Sequence, residues 1–178
     1  MGGPCARWAL AGSLLLAWSV AQSAVVEEVI DMPIHVKNRF GLGDPQTMKV
    51  VIWRDDAVAT PQPFVVLNHG RSNQGRTTMQ LARYPAQSKY FVAKGFAVFV
   101  PTRVGYGPTG GPDVDDEESC NNPQYSYAFD VASFQVQKVV ELAKTMGYVN
   151  GEKGIVVGLS YGGATAIAAA ARGIPGVV

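Results

Sequence analysis

The stretch Gly154-Ile155-Val156-Val157-Gly158-Leu159-Ser160-Tyr161-Gly162-Gly163 decides the fold of this chain. Its β-branched run is the continuous apolar signal of a strand buried on both faces. The alanine-rich segment Ala164 to Arg172 that follows has the composition of a helix. Between them stands Gly-x-Ser-x-Gly, which in a strand–turn–helix setting lifts the Ser160 hydroxyl above the sheet on a strained turn. Side chains two positions before and after the serine collide in such a turn, so Gly158 and Gly162 are sterically required. The helix aims its positive end at the same place, where it favours a developing oxyanion. Alone the pattern is moderately specific; the flanking strand and helix make Ser160 a candidate nucleophile.

Outward from this turn, buried runs recur at Phe64 to Leu67 and at Phe96 to Val100, and Ile174 to Val178 begins a further strand. Val25 to Ile30 and Met48 to Trp53 read as two strands joined by a turn-rich stretch, an antiparallel start. Met79 to Lys94 is expected to be helical, with Pro85 kinking it or delaying its start. The spacing of Phe129, Ala132, Phe134, Val136, Val139, Val140, Leu142 and Ala143 predicts a second helix ending near Gly147. Strands alternating with helices imply an α/β fold, a mainly parallel sheet with helices on both faces.

A second constellation is Val65-Val66-Leu67-Asn68-His69-Gly70-Arg71-Ser72. An oxyanion hole takes one backbone N–H from the residue after the nucleophile and one from a loop after an earlier strand. Tyr161 is the expected first donor and Arg71 the second. The plainer alternative makes His69-Gly70 a turn that simply ends a strand.

At 178 residues, 47% hydrophobic and 16% charged, the chain suits one globular domain. Lys+Arg 15 against Asp+Glu 14, without a basic cluster, leaves no electrostatic footprint for nucleic acid. Arg7 precedes an uncharged apolar run from Trp8 to Val20, and small residues follow at Ala21, Ser23 and Ala24. That is the pattern of a secretory signal peptide over residues 1–24, the run being short for a membrane span of about 20 residues. A periplasmic or extracellular protein over residues 25–178 is expected, with no membrane span after cleavage. Cys120 would then stay alone in an oxidising compartment, either as a free thiol or with a partner outside this chain. The acidic run Asp113, Asp115, Asp116, Glu117 and Glu118 is expected to be a solvated loop, with no metal assigned.

The order strand–His69-Gly70, strand–Pro101-x-Arg103-x-Gly105-Tyr106-Gly107, then Gly158-Leu159-Ser160-Tyr161-Gly162-Gly163 resembles dienelactone-hydrolase-like members of the α/β-hydrolase superfamily. It is similar also to their carboxylesterase and acyl-peptidase relatives. The resemblance implies a cofactor-free serine hydrolase acting on ester, lactone or peptide carbonyls, with Tyr106 shaping the acyl pocket. Its triad runs Ser, then Asp or Glu, then His along the chain. After Ser160 there is no Asp, Glu or His, so the chain is expected to stop short of its acid and base. Of the upstream histidines, His69 belongs to the oxyanion loop and His35 lies near the first strand. The competing expectations are an enzyme completed by residues not present here and an inactive hydrolase-like remnant or binding protein. A chain ending there leaves a hydrophobic strand at or near an open sheet edge, so self-association of the isolated chain is expected.

Overall fold

The computed structural model describes residues 24–72, 74–119 and 121–178. The expected signal segment, except Ala24, and Cys120 therefore lie outside the described residues. The strands are β1 (Val25–His35), β2 (Pro45–Asp55), β3 (Gln62–Asn68), β4 (Ala97–Thr102), the short pair β5 (Glu118–Ser119) and β6 (Asn122–Pro123), and β7 (Val149–Gly158). The helices are α1 (Pro85–Val92), α2 (Tyr125–Lys144) and α3 (Tyr161–Ala171). None of the described helices is long and apolar enough to cross a membrane.

One five-stranded sheet carries the order β1-β2-β4-β3-β7. β1 and β2 form an antiparallel hairpin, β2 meets β4 antiparallel, and β3 runs parallel to both β4 and β7. The apolar runs alternate sides, so β2, β3 and β4 each feed two cores. Phe64, Val66, Ala97 and Phe99 face α2 and α3, where they meet Val136, Val139, Val140 and Ala169. Val65, Leu67, Val98 and Val100 face the opposite way, toward Ala82 and Val92. Helices thus cover both faces, as expected of an α/β sheet.

The first two strands are longer than the expected Val25–Ile30 and Met48–Trp53. Period-2 burial continues through Met32 and Ile34 while Asp31, Pro33 and His35 stay exposed, so pairing extends to His35 opposite Pro45. The first helix is shorter than Met79–Lys94, beginning at Pro85. Proline lacks the N–H that an interior helical position needs but suits the first turn. The residues before it are held elsewhere: the Ala82 N–H donates to Thr102 Oγ1 at 3.0 Å, and Tyr84 is left-handed at φ 45°. Ile174–Val178 makes only an isolated bridge, Val177 to Gly154.

For the site, the consequence lies in the register. Asn68, the last residue of β3, pairs with Gly158, the last of β7, so the segments that leave both strands start side by side. β4 ends at the same edge with Thr102 and Arg103. Carboxyl ends of parallel strands are where open α/β sheets place ligands.

Phe99, fully buried on β4, is expected to hold the larger core together. Phe99→Ala should cost about 3–5 kcal/mol in denaturant unfolding. Ile167→Ala, at a side chain 74% exposed, should stay within about 0.5 kcal/mol.

Candidate active site

Ser160 joins β7 to α3 at φ 55°, ψ −123°, a combination that non-glycine residues avoid. The surrounding backbone forces it. A Cβ on Gly158 would lie 2.0 Å from the Gly162 carbonyl oxygen, and one on Gly162 would lie 2.3 Å from that of Asn68. The start of α3 is therefore pressed against the ends of both β7 and β3. The serine remains exposed and makes no side-chain cap bond to α3.

The β3 loop lies against this turn. A Cβ on Gly70 would sit 3.4 Å from Ser160 Cβ, and the Leu159 N–H donates to the Asn68 carbonyl at 3.2 Å. Ser160, Tyr161 and Arg71 then line one open cavity of about 500 Å³ with Ser72, Gln74, Glu117 and Tyr125. Tyr161 opens α3, where first-turn N–H groups have no intrahelical acceptor. The structure thus brings together Ser160, Tyr161, His69, Gly70 and Arg71. Tyr106 is fully buried, packed edge-on against His69, and is not among the residues lining this cavity.

The acidic loop differs most from expectation. Instead of being solvated, Asp115 is fully buried, 2.8 Å from Arg103 Nε, itself fully buried. The Arg103 guanidinium also donates to the His69 carbonyl at 2.8 Å. Arg71 is surrounded: two bonds to Asp113 at 2.9 Å, one to Asp116 at 3.0 Å, and a 2.9 Å ion-pair contact from Nε to Glu117. That last contact lacks hydrogen-bond alignment, leaving Glu117 Oε2 without a bonded donor. Arg76 closes the far side on Asp113 at 3.0 Å. Sequence reasoning used only the Arg71 amide and missed its side chain. The available signal was three arginines, Arg71, Arg76 and Arg103, following the very strands whose loops meet here.

The two tyrosines complete the cluster. Tyr106 donates to Asp115 Oδ1 at 3.0 Å and accepts from Arg71 Nη1 at 2.8 Å. Burial, then the Asp115 charge, push its phenol up to about 12, so it stays a neutral donor. Burial likewise raises Tyr161, whose hydroxyl donates to the Asp115 main-chain carbonyl at 2.7 Å. With arginine side chains filling the spaces between carboxylates, no group of three or more potential ligands among the described residues is arranged to hold a metal.

Neither upstream histidine is placed as a base for Ser160. His69 Nε2 accepts the Arg103 N–H at 3.0 Å, so the proton sits on Nδ1 and is donated to the Gly70 carbonyl at 2.7 Å. Burial, reinforced by the Arg103 charge, lowers its pKa to about 3. His35 is bonded to the Gly43 carbonyl in the β1–β2 hairpin. The unfolded chain takes up a proton on His69 near 6.5, the folded one only near 3. Its contribution to stability is therefore full above about 6.5 and is lost progressively as pH falls toward about 3. Nitrogen NMR at about pH 5 should find His69 neutral and protonated at Nδ1; a titration midpoint near its ordinary value would contradict this geometry.

No family model matches the chain, and no curated protein matches it in sequence. Solved structures do. A ferulic acid esterase from Streptomyces cinnamoneus superposes with TM-score 0.64 at 14% identity, over 88% of this chain and 58% of that one. An acetyl xylan esterase from Paenibacillus sp. R4 gives 0.55 at 15% identity, over 86% and 50%. A cold-adapted esterase from an Arctic intertidal metagenomic library gives 0.50 at 18%, over 85% and 56%. The chain spans a half to three-fifths of the length of these structures. At such identities the likeness concerns architecture, and it agrees with the strand order and the strained serine turn: the chain has the α/β-hydrolase fold.

Proposed function

We propose that this chain carries the nucleophile of a secreted serine hydrolase acting on ester, lactone or peptide carbonyls. The observation that carries the reading is Ser160 itself, an exposed serine at φ 55°, ψ −123° between a strand and a helix, opening on a cavity. A strained backbone is maintained only where surrounding structure over-determines it, and such residues cluster at active sites. The structural neighbours, each an esterase, support the same class.

In this mechanism Ser160 Oγ attacks the carbonyl carbon while its proton passes to a base supplied from outside these residues. The carbonyl oxygen takes up the negative charge and is held by the Tyr161 and Arg71 N–H groups at the positive end of α3. Collapse expels the leaving alcohol or amine, which takes the proton, and leaves an acyl group on Ser160. Water repeats the sequence and releases the acid. The alternative, an inactive hydrolase-like binding protein, draws on one observation: both nitrogens of His69 are already bonded, so the described residues place no imidazole to activate Ser160.

The cavity also constrains the substrate's charge. Among the described lining residues Arg71 is the single cation, and its guanidinium is engaged by carboxylates. The cluster holds Arg71, Arg76 and Arg103 against Asp113, Asp115, Asp116 and Glu117, +3 against −4, net −1. A carboxylate-bearing acyl group would meet this excess without a free cation to receive it.

In the native polypeptide, p-nitrophenyl acetate should be hydrolysed and Ser160→Ala should remove the activity, by roughly 10⁴-fold or more. Binding without turnover would favour the inactive alternative. A p-nitrophenyl ester bearing a free carboxylate should lose about tenfold or more in kcat/KM against its neutral counterpart. Equal values would remove the charge argument while leaving the role of Ser160 intact.

A further inference from the structure

Both segments expected to supply oxyanion N–H groups leave the sheet separately, one after β3 and one after β7. Something must fix their relative position to a fraction of an ångström, because misplacement by about 1 Å can cost 10²-fold in rate. Backbone contact at Gly162 and Gly70 sets their approach. Side chains set the rest, and they converge on one residue.

Asp115 touches every part. Its main-chain carbonyl accepts the Tyr161 hydroxyl at 2.7 Å, binding the residue next to Ser160. Its Oδ2 accepts Arg103 Nε at 2.8 Å, and Arg103 in turn grips the β3 loop through the His69 carbonyl at 2.8 Å and through His69 Nε2 at 3.0 Å. Its Oδ1 accepts Tyr106 at 3.0 Å and Arg71 at 3.3 Å, while Tyr106 also bonds Arg71. The Arg103 guanidinium lies over the Tyr161 and Tyr106 rings at 5.3 and 4.8 Å, filling the space between the loops. A buried ion pair is weak evidence for stability, since apolar residues of equal volume often serve as well. What this one supplies is a fixed distance between two loops.

We infer that Asp115 is a positioning residue that couples the Tyr161 and Arg71 amides into a single rigid oxyanion site. The inference rests on the proposed serine hydrolase. Asp115 touches no substrate; it acts through Tyr161, Arg103 and Arg71. Losing it would loosen both donors at once, and because those donors matter most in the transition state, the loss would fall on kcat.

The test uses Asp115→Asn and, in case an unpaired Arg103 unfolds the protein, Tyr161→Phe, which deletes one hydroxyl. Amide resonances are followed in the native polypeptide with Lys138→Ala as an exposed control. Each of the two variants should shift the amides of both Arg71 and Tyr161, and the control should shift neither. With a short activated ester, kcat should fall on the order of 10- to 100-fold while KM stays within about twofold. Tyr161→Phe leaving the Arg71 amide unmoved, or a change confined to KM, would overturn the inference. Coupled amide shifts in a protein whose Ser160 never turns over would support the coupling and refute the hydrolase reading instead.

Discussion

At the edge of the sheet where β3 and β7 end, three stretches of backbone occupy space that admits no side chain. Gly158 faces the Gly162 carbonyl, Gly162 faces that of Asn68, and a Cβ at either would come within 2.3 Å of backbone. This contact ties the first turn of α3 to two strands at once, and Ser160, caught between, is driven to φ 55°. The exposure of its hydroxyl, the aim of α3 toward it and the nearness of the His69–Arg71 loop all follow. A methyl group at Gly158 or Gly162 would have to separate the helix from the sheet before anything else could adjust.

Around that contact lies a shell with different physics. Arg103 and Asp115 are wholly withdrawn from water, and removing one partner of such a pair typically costs about 3–5 kcal/mol because the other is left charged and alone. Burial raises the Asp115 carboxyl above its ordinary range while Arg103 and the Tyr106 hydroxyl oppose the rise. Arg103 Nη2 has no hydrogen-bond acceptor among the described residues, so the shell is not fully satisfied by its own members. Its value is geometric: aromatic rings, guanidinium planes and carboxylates have fixed shapes, and together they allow the loops one arrangement.

The fold was legible wherever one local signal was strong. Phe64–Leu67, Phe96–Val100 and Ile155–Val157 are continuous apolar runs and each became a strand. The first two lie inside the sheet, whereas Ile155–Val157, expected to be buried on both faces, sits on the edge strand β7 and is only partly buried. The serine turn was legible because its glycines serve a local steric need. The start of α1 was less so, since the backbone before Pro85 is held by Thr102, 20 positions away. The acidic loop was misread for the same reason. Asp115 pairs with an arginine 12 positions away and Asp113 with one 42 positions away, and nothing local distinguishes a carboxylate facing water from one facing a buried guanidinium. The role of Tyr106 was drawn from a resemblance; the structure shows it fully buried and bonded to Arg71 and Asp115, outside the cavity's lining.

Steric necessity in the backbone holds Ser160 on an exposed, strained turn, and its proposed role as nucleophile is tested most directly by its covalent chemistry. The native polypeptide can be treated with a fluorophosphonate and its peptides mapped by mass spectrometry. The account predicts one phosphonylated residue, Ser160, with Ser72 and Ser126 untouched. A modification elsewhere, or one that persists at equal rate in Ser160→Ala, would contradict it.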